Sequence, residues 1–77
     1  MNDTTLIELH ELRGIAKGRS GELRQVPTGW TLHATIGGVA YTVRPKHPPA
    51  RVRVFKTAAA AIRAAKYCGM VELRVSV

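Results

Sequence analysis

Carboxylates are scarce in this chain: Asp3 and four glutamates stand against twelve Lys and Arg, for a formal net charge of +7. With the one Asp near a terminus and the glutamates scattered, no pair is set up for general acid–base work. Cysteine is nearly missing. The lone Cys68 allows no internal disulfide, suits a reducing cytosol, and reads as a small core residue rather than a nucleophile. His10, His33 and His47 have no spacing that matches a metal site. No Ser-His-acid arrangement is suggested, and Gly37-Gly38 reads as a turn, not a phosphate cradle. These absences argue against an enzyme and give no cofactor to expect. Long apolar runs are missing too, so no segment is expected to span a membrane. The opening "MNDTTLIELHE" lacks a basic stretch followed by an apolar one, so no secretory signal is expected and the cytoplasm is the expected location.

What the chain does have is positive charge, unevenly spread. Four of the five acids lie in the first 22 residues; from Leu23 onward nine Lys or Arg accompany one acid, Glu72. Such a segment attracts polyanions whatever its fold. Seventy-seven residues make one domain, 1–77, with little core to spare, and association into a homodimer is a common supplement at this size.

The spacing of Leu6, Leu9, Leu12 and Ile15 predicts a leading helix, capped by Asp3, Thr4 or Thr5 and stopped at Gly18–Gly21, so residues 1–20 read as helix and linker. "ELRQV" before Pro27 reads as a short strand. "WTLHATI" and "VAYTVR" alternate on either side of Gly37-Gly38, a pair that supplies the positive φ of a two-residue hairpin turn. In that register Ile36 opposes Val39, Ala34 opposes Tyr41, and Leu32 opposes Val43, all on one face with Trp30. "PKHPPA" reads as a loop. "RVRVF" resumes as a strand with Val52 and Val54 inward. Thr57 caps a helix over 58–68, Gly69 ends it, and "VELRVSV" closes with Val71, Leu73, Val75 and Val77 inward. The expected fold is α+β, α-β-β-β-α-β, with a mainly antiparallel sheet over 29–77 and both helices on one face.

Strand parity then collects a polar outward face. His33 and Arg44 come from the hairpin, Arg51 and Arg53 from "RVRVF", and Glu72 and Arg74 from the last strand, with Lys46 in the adjoining loop. Basic side chains with Thr31, Thr35 and Thr42 make the composition of a surface that contacts a phosphate backbone. His33, Arg44, Lys46, Arg51, Arg53 and Arg74 are therefore the candidate nucleic-acid-binding residues. Trp30 and Tyr41 fall on the core face and Phe55 at a strand end, which leaves no outward aromatic for base stacking and favours duplex DNA over a single strand. The competing explanation is that exposed strand positions are polar anyway, and that edge strands carry Lys or Arg to deter aggregation.

Two resemblances bear on these segments. "GWTLHATIGGVAYTV…RVRVFKTAAAAIRAA" resembles the sheet-plus-helix DNA-binding domains of the AP2 and integrase arm-binding type, in which the sheet reads the major groove. That resemblance implicates Thr31, His33, Arg44, Arg51 and Arg53; the leading helix, the last strand and the long proline-rich loop depart from it. "RVRVFKTAAAAIRAAKYCGMVELRV" is similar to short plasmid-encoded, partition-associated proteins of the ParC family, which implies an accessory protein of a mobile element. The expectation is a non-enzymatic, duplex-DNA-associated protein of a plasmid or phage. The alternative is an interaction module, of the size of anti-CRISPR proteins, that engages an acidic or nucleoprotein partner of the host.

Overall fold

The hairpin that the two alternating runs announce is the centre of the structure. In the computed structural model, which describes residues 4–47 and 51–77, β3 (Gly29–Ile36) and β4 (Val39–Arg44) pair antiparallel, with Ile36 opposite Val39 and Ala34 opposite Tyr41. Gly37 and Gly38 turn the chain at φ 58° and 80°, a region that side-chain-bearing residues enter at a cost. Before the hairpin come β1 (Thr5–Glu8), α1 (Leu9–Ala16) and β2 (Ser20–Val26); after it come α2 (Ala58–Tyr67) and β5 (Glu72–Ser76). The protein is a small α+β domain in the expected α-β-β-β-α-β order, preceded by one more strand, with β2 ("ELRQV") among the three central strands in the place expected for "RVRVF" and with a mixed rather than mainly antiparallel sheet.

The five strands form a mixed sheet in the order β1-β4-β3-β2-β5. Its centre is antiparallel, and each edge adds a parallel strand, β1 beside β4 and β5 beside β2. Four strands therefore run one way and β3 alone runs back. Each helix is a crossover between like-directed strands, α1 from β1 to β2 and α2 from β4 to β5. Both cross the sheet in the same sense, so the right-handed preference for such units puts both helices on one face. Leu12 and Ala16 of α1 and Ala61, Ala64 and Ala65 of α2 meet Leu23, Leu32, Ala34 and Val43 of the sheet in one core. The small side chains of α2 let it lie close to β2 and β3. Thr57 caps it by accepting from the Ala60 amide at 3.1 Å, and a Schellman motif closes it, with Gly69 N–H to Lys66 O and Met70 N–H to Ala65 O.

Three expectations are corrected. The leading helix begins at Leu9, not near Thr5, because Thr5–Glu8 finds the free edge of β4 and pairs with Tyr41–Arg44. The helix that remains is only eight residues, capped by the Glu8 amide donating to the Glu11 carboxylate at 3.3 Å; Asp3, the first candidate cap, lies outside the described residues. Leu9, Leu12 and Ala16 face the core, whereas Ile15 is exposed. Residues 48–50 of the proline loop also lie outside the described residues.

The second correction concerns "RVRVF", which is not one of the sheet's strands. It touches the sheet through one bridge, in which Trp30 and Phe55 exchange both backbone hydrogen bonds at 2.8 and 2.7 Å, and through Arg53 N–H to Val43 O at 2.8 Å. Phe55 is 6% exposed and sits in the core, while Val52 and Val54 are 39% and 40% exposed. Burying one Phe removes more apolar area from water than half-burying two valines, so the alternation settles with Phe55 inward and the valines outward. Gly29 makes the close approach possible: at φ 152°, a Cβ there would strike the Phe55 carbonyl.

Thirdly, the inward valines of β5 are not covered. Leu73 packs on the core, but Val71, Val75 and Val77 are exposed, because α2 lies over β2 and β3 and does not reach the edge. The reversed parity of residues 52–55 has a direct test in urea denaturation. Phe55→Ala should cost about 3–5 kcal/mol, Phe55→Leu a fraction of that, and Val54→Ala no more than about 1 kcal/mol. Equal costs at positions 54 and 55 would contradict the assignment.

Candidate functional site

The helix-free face of the sheet carries a row that crosses every strand and is polar in all but β1. Registers align Leu6, Thr42, His33, Glu22 and Arg74 across β1, β4, β3, β2 and β5. Around this row lies an open groove of about 620 Å³, lined among others by Thr4, Glu22, His33, Thr42, Glu72 and Arg74.

The row is internally satisfied. Thr4 and Thr42 hydroxyls lie 2.7 Å apart, Thr42 Oγ1 is 3.0 Å from His33 Nδ1, and His33 Nε2 is 2.6 Å from Thr31 Oγ1. Thr31 Oγ1 is in turn 3.5 Å from the Arg24 carbonyl, to which it donates. One direction satisfies all of them with a neutral ring. Thr42 donates to Nδ1 and the Nε2 hydrogen goes to Thr31, which passes its own to Arg24 O, while the Thr4 hydroxyl hydrogen is shared between Thr42 Oγ1 and, at 3.4 Å, the Ala40 carbonyl. Thr31 and Thr42 are buried although they lie on the helix-free face, and no buried side-chain polar atom among the described residues lacks a partner. Burial, and secondarily the Arg24 charge, hold the His33 pKa below its ordinary 6.5.

This face is not the basic surface that the outward parity suggested. Glu8, Glu22 and Glu72 lie on it beside Arg44, Arg24 and Arg74, so carboxylates and guanidinia balance. Arg24 reaches Glu22 at 3.0 Å, and that hydrogen bond holds the Glu22 carboxyl below its usual range. Arg44 is held between Glu8 at 3.9 Å and Glu11 at 3.7 Å. Glu72 accepts from Ser20 at 3.2 Å. The outward parity underestimates the acids because β2, whose parity the sequence left open, brings Glu22 beside His33 and Arg74, and β1 brings Glu8 beside Arg44.

The six candidate residues divide into two groups. His33, Arg44 and Arg74 belong to the charge-balanced face. Lys46, Arg51 and Arg53 lie in the connection between β4 and α2, at the end of the sheet where β4 finishes and β3 begins. Because Phe55 points inward, Arg53 takes Phe55's side of the chain, with its guanidinium 4.6 Å above that ring. Arg51 and Arg53 are thus not a row with Arg44 and Arg74. Lys56, which was overlooked, completes this group; its signal was the acid-free run from Pro45 to Thr57. All four cations are exposed, and among the described residues none is paired with a carboxylate. Both helices run away from this end, so their N-terminal amides add a weak positive potential to it.

Among the described residues, no group of three or more His, Cys, Asp or Glu is placed to hold a metal. Cys68 is buried, its thiol donates to the Leu9 carbonyl at 3.6 Å, and burial raises its pKa. No protein-family profile, curated protein or solved structure matches the chain.

The His33 row predicts an acid-sensitive fold. The depressed histidine pKa means that the unfolded chain takes up the proton first. His33 therefore contributes stability that is full above about pH 6.5 and is lost as pH falls through its folded value. Urea midpoints measured from pH 7.5 to 5 should decline in the wild type and stay flatter in His33→Gln. Parallel profiles would show that His33 does not carry the effect.

Proposed function

We propose that this protein is a non-enzymatic, nucleic-acid-associated accessory protein that binds the duplex backbone through the β4–α2 connection. The observation that carries this reading is the acid-free segment whose Lys46, Arg51, Arg53 and Lys56 are exposed and, among the described residues, without a carboxylate partner, against a sheet face whose charges cancel. Four cations at one end of a small domain present a concentrated field to a polyanion, and phosphate contacts of this kind supply affinity without sequence readout.

Duplex is favoured over single strands by the aromatic inventory. Phe55 is buried beneath Arg53, Trp30 and Tyr41 are half-buried against the core, and the exposed ring of Tyr67 has the Arg13 guanidinium 4.8 Å from its centre. No ring is left bare as a stacking platform for bases. The similarity of 51–75 to partition-associated plasmid proteins extends the reading to an accessory role on a plasmid or phage in the bacterial cytoplasm. An acidic host protein is the competing occupant of the same cations.

Fluorescence anisotropy with duplex DNA, single-stranded DNA and RNA over a salt series tests this. Duplex binding should weaken with log salt at a slope of about −3 to −4 if all four cations meet phosphates. Replacing Arg51, Arg53 and Lys56 by Gln should flatten that slope by about 3 and weaken binding at low salt, whereas Arg74→Gln should change little. Binding that ignores salt, or that responds to Arg74 and not to the connection, would overturn the reading.

A further inference from the structure

β5 closes one edge of the sheet, and among the described residues nothing pairs with its outer side. Trp30 spends both backbone hydrogen bonds on Phe55, on the β4 side of β3. Alternation through the pairs Arg24↔Thr31 and Gly21↔Leu73 then turns the amides and carbonyls of Leu73 and Val75 outward. The helix layer covers β2 and β3, so Val75 is 56% exposed on the helix side of this edge, and Val71, just before the strand, is 75% exposed. On the opposite side stand Glu72 and Arg74. An edge strand with free backbone groups and bare valines is a template for another strand, and edge strands that stay single are commonly blunted by inward charge, proline or a bulge. β5 has no inward charge, proline or bulge; the charges it does carry, Glu72 and Arg74, are of opposite sign and so attract a second copy in the right register.

The sequence Val71-Glu72-Leu73-Arg74-Val75 is self-complementary when reversed about Leu73. We propose that a second copy of this chain pairs antiparallel with β5 about a two-fold axis at Leu73, joining two five-stranded sheets into one. Glu72 then lies opposite Arg74 of the second copy, twice, on the polar face. Leu73 lies opposite itself on the helix side, flanked by Val75 of each copy, which reaches the Val71 side chain of the other; Val71 precedes the strand and keeps its amide on the Arg19 carbonyl at 3.0 Å. Opposed charges and opposed β-branched residues are the pairs that stabilise a sheet. An axis at Arg74 would set two guanidinia against each other, and an axis at Glu72 two carboxylates. An axis between residues would put charges opposite valines, on the wrong face. Charge and bulk therefore select one register, and the contact is isologous, so it closes at a dimer. This surface is separate from the cationic connection and stands whether or not that connection binds nucleic acid.

Sedimentation equilibrium of the full chain at low salt, from micromolar to near-millimolar concentration, tests the proposal. The expected mass rises from 8.4 kDa toward twice that value. Glu72→Arg should weaken the dimer at least tenfold, and adding Arg74→Glu to it should restore the wild-type dissociation constant. Val75→Lys, at a position more than half exposed, should weaken the dimer with an unchanged circular dichroism spectrum, which separates dissociation from unfolding. A mass of 8.4 kDa throughout would overturn the proposal. So would a dimer indifferent to Glu72→Arg, or one that the double exchange fails to restore.

Discussion

The paired backbone hydrogen bonds between Trp30 and Phe55 are the constraint on which the functional geometry depends. They pin the long β4–α2 connection to the start of β3 and deliver Phe55 to the core, where α2 begins. Once Phe55 points inward, alternation decides the rest of the segment. Val52 and Val54 turn toward the helix-free face, and Arg53 stands over the Phe55 ring. The cations of the connection are thereby removed from the sheet face and gathered at the end of the molecule. One aromatic side chain thus separates two populations of cations, Arg24, Arg44 and Arg74 on the sheet face and Lys46, Arg51, Arg53 and Lys56 at the connection; Arg13, Lys17, Arg19, Arg63 and Lys66 belong to neither.

Those populations differ in chemistry. On the sheet face each guanidinium has a carboxylate neighbour, and two of the threonines that look like free hydroxyl donors, Thr31 and Thr42, are consumed by the His33 row. At the connection, Lys46, Arg51, Arg53 and Lys56 meet no carboxylate among the described residues. Surface ion pairs are worth little to stability, but they matter here for a different reason: they cancel a field that a polyanion would otherwise feel. A net charge of +7 therefore says that the chain attracts anions, and only the fold says where.

The hairpin was legible in the sequence to the level of register, because two alternations had to agree through one glycine pair. The helix over 58–67 was equally legible, since cap, small-residue face and terminating glycine all point the same way. Thr5–Glu8 was not. Its one leucine and one isoleucine fit a helical face as well as a strand, and only the free edge of β4, a tertiary fact, decides between them. "RVRVF" was misread because two valines were weighed against one phenylalanine, although Phe55 shares the parity of Arg51 and Arg53. The balanced sheet face was missed through β2: Leu23, the apolar residue at its centre, would have turned Glu22 and Arg24 outward. The exposure of β5 could not be read from its alternation, which promises an apolar face but not a helix wide enough to cover it.

The central claim is that a nucleic-acid backbone meets the β4–α2 connection and not the sheet face. Amide chemical-shift mapping with a short duplex tests it residue by residue. The account predicts that the largest shifts fall on Lys46, Arg51–Lys56 and the first turn of α2, with Glu22, His33 and Arg74 nearly still. Shifts centred on Glu22, His33 and Arg74, with the connection unmoved, would contradict it.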